Sequence, residues 1–111
     1  MSDRPPIEIQ PEQWAIVGEI LRRHVPGLAV WAFGSRARFT AKRYSDLDLV
    51  VLSDRPLPLA TYAAIVDAFS ESDLPYRVDV VDWATTNETF REIIERDKVV
   101  VQEGGSRSQE D

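Results

Sequence analysis

The sequence predicts a small α/β domain of the α+β kind, a mixed β-sheet flanked by helices. Three observations predict it. Short runs of branched aliphatic residues alternate with segments of helical periodicity along the chain. Proline or glycine punctuates most of the junctions between them. The 111 residues suit one domain, and 43% of them are hydrophobic, enough for a core without disulfides.

Residues 1–10 hold two prolines and little pattern, and read as an extended, flexible N-terminal arm. Pro11-Glu12-Gln13 opens a helix, with proline tolerated in the first turn and Glu12 at the positive end of the dipole. Trp14, Val17, Leu21 and Val25 follow at helical spacing, and Pro26-Gly27 stops the run. The single histidine, His24, falls in the last turn, where a cation favours the dipole; that role outweighs a catalytic one. Leu28 to Phe33 reads as a buried strand ending at Gly34. Gly34-Ser35 is a turn leading into about one helical turn, and 40–45 is a polar loop. Leu47 to Leu52 is a second strand, started by Asp46 and containing Asp48. After the Pro56 and Pro58 loop, Leu59, Tyr62, Ala63, Val66 and Phe69 mark a second amphipathic helix. Tyr76 to Val81 is a third strand. Asn87 is an N-cap for a last helix to about Arg96, and Val99 to Val101 adds a fourth strand. Residues 104–111 are polar and glycine-rich and read as a disordered tail, so the folded domain is expected over 11–103.

Composition excludes several functions. The chain has no cysteine, so a disulfide framework and a cysteine zinc site are ruled out. No apolar run approaches the roughly 18–20 residues of a membrane span. The N-terminus lacks the charged-then-apolar form of a signal peptide. The expectation is a cytoplasmic protein with no membrane partner. A net charge of −6 argues against direct nucleic-acid binding, which needs a basic face. One basic island, Arg36, Arg38, Lys42 and Arg43, stands out against that background. Alone it reads as a solvated loop; beside a phosphate-sized turn it suits a small polyanion.

Carboxylates carry the chemistry. Residues two apart in a strand share a face, so Asp46 and Asp48 project together while Leu47 and Leu49 go to the other side. Paired carboxylates repel, and a divalent cation such as Mg²⁺ removes the difficulty. Asp79 interrupts Val78 and Val80-Val81 in the third strand. If that strand lies beside the second, Asp79 becomes a third carboxylate at the same spot, and three suit two cations. Asp46 alone would read as a strand end facing water. Asp48 and Asp79 each break an aliphatic run in which aspartate is unfavourable, which suggests a site departing from local preference. Asp54, Asp73 and Asp82 lie in loops or at strand ends and read as solvated.

Gly34 lets the backbone approach a ligand closely, and N–H groups at the start of the following turn favour an anion. The Ser35 hydroxyl adds a hydrogen bond to a phosphate oxygen or a ligand to a metal. The turn lacks the lysine of a P-loop, and its glycine does not recur as in a dinucleotide fingerprint.

An apolar strand, Gly34-Ser35, ten further residues, then Asp46-Leu47-Asp48-Leu49 resembles the signature of the DNA polymerase β-like nucleotidyltransferase superfamily. The local form Gly34-Ser35-Arg36-Ala37-Arg38 with Ser45-Asp46-Leu47-Asp48-Leu49, and the small size, resemble its minimal nucleotidyltransferases, including those paired as antitoxins with HEPN toxins. The resemblance implies a palm-like core. It implies that Gly34 and Ser35 cradle phosphate and that Asp46, Asp48 and Asp79 are catalytic and hold two Mg²⁺ ions. It matches Arg36 and Arg38 to arginines contacting phosphates or acceptor. ATP is the implied substrate, and AMP would pass to a hydroxyl. No second domain is legible to bind an acceptor, so the acceptor surface is expected from another chain. In this branch that chain is an all-helical HEPN ribonuclease toxin, modified on a tyrosine. Two alternatives remain at this point: an antitoxin acting by binding alone, with Trp31, Trp83 and Phe39 as candidate exposed residues set against the commoner core role of tryptophan, and a small-molecule nucleotidyltransferase with a separate substrate-binding subunit.

Overall fold

The elements follow the expected alternation. They are α1 (Pro11–His24), β1 (Val30–Phe33), β2 (Leu47–Val51), α2 (Leu59–Ser70), β3 (Val78–Asp82), a 3-10 turn (Trp83–Thr85), α3 (Glu88–Asp97) and β4 (Val99–Gln102). The structure, a computed structural model, describes residues 4–104. Pro11 takes the first turn of α1, and Gln10 and Gln13 close a reciprocal capping box. The Asn87 carboxamide accepts from the Phe90 N–H at 2.8 Å and so starts α3. Strand boundaries shift by one or two residues from expectation, and the 3-10 turn after β3 was not legible.

The four strands form one sheet in the order β3-β2-β1-β4. β1 is antiparallel to β2 and β4, whereas β2 and β3 are parallel. The β1–β2 connection is the loop carrying Gly34-Ser35, and α2 makes the longer crossover that a parallel pair requires. Side-chain alternation then divides the sheet. Val30, Ala32, Leu47, Leu49, Val51 and Val80 enter the larger core with Val17 and Leu21 of α1 and Ile65 and Phe69 of α2. Phe33 and Val50 enter a smaller core on the opposite face with Ile94 of α3. Trp31 and Trp83 pack against that second core edge to face, ring centroids 5.7 Å apart, in the packing role rather than as free surface. Phe39 is 59% exposed and has φ of +58°, an uncommon backbone for a bulky residue.

Two expectations are corrected. Residues 4–10 are not a loose arm: Ile7 and Ile9 are buried in the larger core. The Glu8 N–H donates to the Arg36 carbonyl at 2.8 Å, and the Glu8 carboxylate accepts from the Ala41 N–H at 3.2 Å. Alternation in Ile7-Glu8-Ile9 is what buries one face of this segment. Asp82 is not solvated; it is 8% exposed. Its carboxylate accepts from the Ser53 hydroxyl, from the Leu57 N–H at 2.7 Å and from the Ala84 N–H at 3.3 Å. The burial is tolerable because those donors replace water. Of the expected tail, Gly104 packs against Ala29, and 105–111 lie outside the described residues, as do 1–3.

Candidate active site

The β1–β2–β3 register brings the acidic residues together. Phe33 is opposite Asp48 across β1–β2, and Asp48 is opposite Asp79 across β2–β3. Asp46, two residues before Asp48, lies on the same face. This is the face that carries α3. Yet α3 packs over Phe33 and Val50, and the carboxylates lie beyond that cluster. The side chains of Asp46 and Asp79 are partly exposed, at 39% and 45%, and Asp48 sits half-buried between them.

Asp48 is the electrostatically stressed group. Burial pushes its carboxyl up from an ordinary 3.8 to about 6, the Asp79 and Asp46 charges push in the same direction, and Arg77 opposes them. Its carboxylate has no hydrogen-bond or ion-pair partner among the described residues. Asp46 and Asp79 instead share Arg77, whose Nη2 lies 3.2 Å from Asp46 Oδ2 and whose Nε lies 3.4 Å from Asp79 Oδ1.

Gly34 has φ of +78°, and a Cβ there would collide with the Asp48 carboxylate. A glycine is therefore required twice over, for the backbone and for the space. The N–H groups of Ala37 and Arg38 both return to the Gly34 carbonyl at 3.1 Å, forming the single turn expected after it. The Ser35 and Arg36 N–H groups have no backbone acceptor among the described residues. The Ser35 hydroxyl likewise has no partner among them. This edge of unpaired donors lies next to Asp48 and is suited to an anion.

Arg36 and Arg38, the two arginines matched to phosphate or acceptor contacts, part company. Arg36 is 5% exposed. Its guanidinium donates to the carbonyls of Glu8 at 2.9 Å, Ser45 at 3.0 Å, Arg43 at 3.0 Å and Lys42 at 3.4 Å, and stacks 3.8 Å over the Tyr76 ring. The expectation that Arg36 contacts phosphate is corrected: its donors are committed to carbonyls, and it clamps the loop that delivers Asp46. Arg38 is half-exposed, and its Nη1 lies 3.9 Å from Asp97 at the end of α3. Sequence reading missed Arg77. The signal was present, since a cation two residues before Asp79 shares its face.

The donor set fits a divalent cation in kind. Three aspartates offer hard oxygen ligands, and a cation would relieve the repulsion concentrated on Asp48. As the side chains stand, no three acidic or imidazole groups among the described residues gather around one point. A guanidinium touches two of the three carboxylates instead.

A sheet with Asp48 on an inner strand, Asp46 just before that strand, a third aspartate on the parallel neighbour and a Gly-Ser turn beside them defines a class. Residues 17–104 match the family model described as polymerase beta, nucleotidyltransferase, and the chain belongs to that family. It is 52% identical over 103 residues to the probable protein adenylyltransferase MntA of Haemophilus influenzae, covering 93% of this chain and 90% of that one. The fold is shared with chains of solved toxin–antitoxin complexes. One, crystallised with AMP-PNP, superposes with a TM-score of 0.69 at 23% identity over 84% of this chain and 74% of that one. Another, from a tri-AMPylated Shewanella oneidensis HEPN toxin in complex with its MNT antitoxin, gives 0.61 at 20% identity over 83% and 70%. The mixed α/β nucleotidyltransferase fold expected from the sequence is thus the one found. Among the described residues, no helix is long and apolar enough to cross a membrane.

Proposed function

We propose that this protein is a cytoplasmic, Mg²⁺-dependent adenylyltransferase that moves AMP from ATP to a tyrosine hydroxyl of a HEPN toxin, and acts as that toxin's antitoxin. One observation carries the reading: Asp48 lies level with Asp79 across the parallel strands and against Gly34, so acid and anion cradle share one spot. The 52% identity to a probable protein adenylyltransferase supports the choice of a protein acceptor. The complexes of antitoxin with HEPN toxin among the structures of the same fold support the choice of partner.

The residues take these roles. Ser35 and the free N–H groups after Gly34 hold the triphosphate and orient its α-phosphorus. Divalent cations held by Asp46, Asp48 and Asp79 would neutralise the triphosphate and activate the attacking oxygen. Asp79 takes the proton of the acceptor hydroxyl. The acceptor oxygen then bonds to the α-phosphorus as the bond to the β-phosphate oxygen breaks, and pyrophosphate leaves. The protein's contribution is position and charge rather than covalent chemistry.

Incubation with ATP labelled at the α-phosphate, Mg²⁺ and the neighbouring-gene HEPN chain tests this. Label is expected on a tyrosine of the HEPN chain and not with the Asp46→Ala, Asp48→Ala double variant. Neutralisation that survives the double variant with no label transferred would establish inhibition by binding alone.

A further inference from the structure

Arg77 is a cation placed where the site's chemistry calls for a different one. Its guanidinium contacts both outer carboxylates at 3.2 and 3.4 Å. The inner one, Asp48, is left without a partner, and the three acids are not drawn around a common point. We propose that Arg77 is the counter-ion of the metal-free triad and is displaced when a divalent cation binds, so that it sets the threshold for metal loading. This rests on the reading of Asp46, Asp48 and Asp79 as metal ligands.

The comparison with Arg36 shows why displacement is feasible. Arg36 is buried, with four carbonyl acceptors and a ring beneath it. Arg77 is the reverse: its side chain is largely exposed, and both of its contacts are ion pairs on the surface. Exposed pairs of this kind hold weakly and release their side chain to water at little loss. A divalent ion brings twice the charge into contact with the same oxygens, so the guanidinium and the cation compete for Asp46 and Asp79. Arg77 therefore acts as a positioning residue. It limits repulsion while the site is empty and disfavours a bare ion until substrate phosphates add ligands.

Mn²⁺ binding to the full chain without nucleotide, followed by electron paramagnetic resonance, tests the competition. The variant Arg77→Met is expected to bind Mn²⁺ about five- to tenfold more tightly than the parent, the size of two exposed ion pairs removed from the competing state. Arg77→Lys, a point charge that cannot fork, should fall between. Equal or weaker binding by Arg77→Met overturns the inference, because a purely structural arginine would leave or loosen the site. Asp48→Asn distinguishes the two levels. If it retains parental Mn²⁺ affinity, the metal-site reading itself fails. If it loses Mn²⁺ while Arg77→Met gains nothing, only the role of Arg77 fails. Should Arg77→Met not fold, the Arg77 Nε–H resonance of the parent protein decides. It should move on saturation with Mg²⁺, and a resonance that stays in place contradicts displacement.

Discussion

The two ends of the β2–β3 pair use aspartate in opposite ways. At one end Asp82 is enclosed and accepts from Ser53, Leu57 and Ala84. At the other, Asp46, Asp48 and Asp79 crowd one face with a single surface arginine between two of them. Both ends place a carboxylate in an aliphatic strand, and only the supply of donors differs. Where donors are complete, the charge ties a loop to the sheet. Where they are missing and like charges converge, the charge is held ready for something from outside.

The comparison can be sharpened from its largest expected effect downwards. Gly34→Ala forces a methyl into the Asp48 carboxylate at a positive φ, and should reduce AMP transfer by about a hundredfold in a label-transfer assay, the scale of a misplaced reacting group. Its melting temperature should fall only modestly. Asp82→Ala strands the Ser53 hydroxyl and the Leu57 N–H, and should lose about 3 kcal/mol of unfolding free energy by urea titration. Below its melting point, transfer should persist. Arg36→Met unclamps the 42–45 loop and should lose about 2 kcal/mol, with no separate rise in the KM for ATP at temperatures where it is folded. A selective KM rise would instead return Arg36 to phosphate contact.

The smallest effect is one of pH. Burial and the neighbouring acids raise the Asp48 carboxyl from 3.8 to about 6, so over that interval the metal-free folded state binds more protons than the unfolded chain. Its contribution to stability therefore declines as pH rises through the interval and levels off above about 6, by less than the roughly 3 kcal/mol of a fully buried group, because Asp48 is only half-buried. Urea titrations across that range should show the decline in the parent protein and a flatter profile in Asp48→Asn.

The sequence made one end of this comparison easier to read than the other. Asp48 and Asp79 announce themselves because each interrupts a valine and leucine run, and the period of two puts Asp46 beside Asp48. Alternating aliphatic runs and helical stripes were enough to place all four strands and three helices in order. Asp82 sits in an equally aliphatic strand, but its donors come from Ser53 and Leu57, 29 and 25 residues away, so its burial depends on tertiary structure. The same holds for Arg36, whose acceptors run from Glu8 to Ser45. Its position in a cationic run suggested phosphate, and only the folded loop shows carbonyls around it. The two prolines make residues 1–10 read as an arm, although Ile7-Glu8-Ile9 carries the strand-like alternation that buries Ile7 and Ile9.

The most direct measurement sets the two kinds of aspartate against each other in one experiment. Asp48→Asn and Asp82→Asn should be compared for melting temperature without metal and for transfer of labelled AMP to the HEPN chain. The expected result is a crossed pattern. Asp48→Asn melts no lower than the parent at neutral pH and transfers nothing measurable. Asp82→Asn melts lower and still transfers while folded. If Asp48→Asn kept its transfer activity, or destabilised the fold as Asp82→Asn does, the division between a structural and a catalytic end of the sheet would be contradicted.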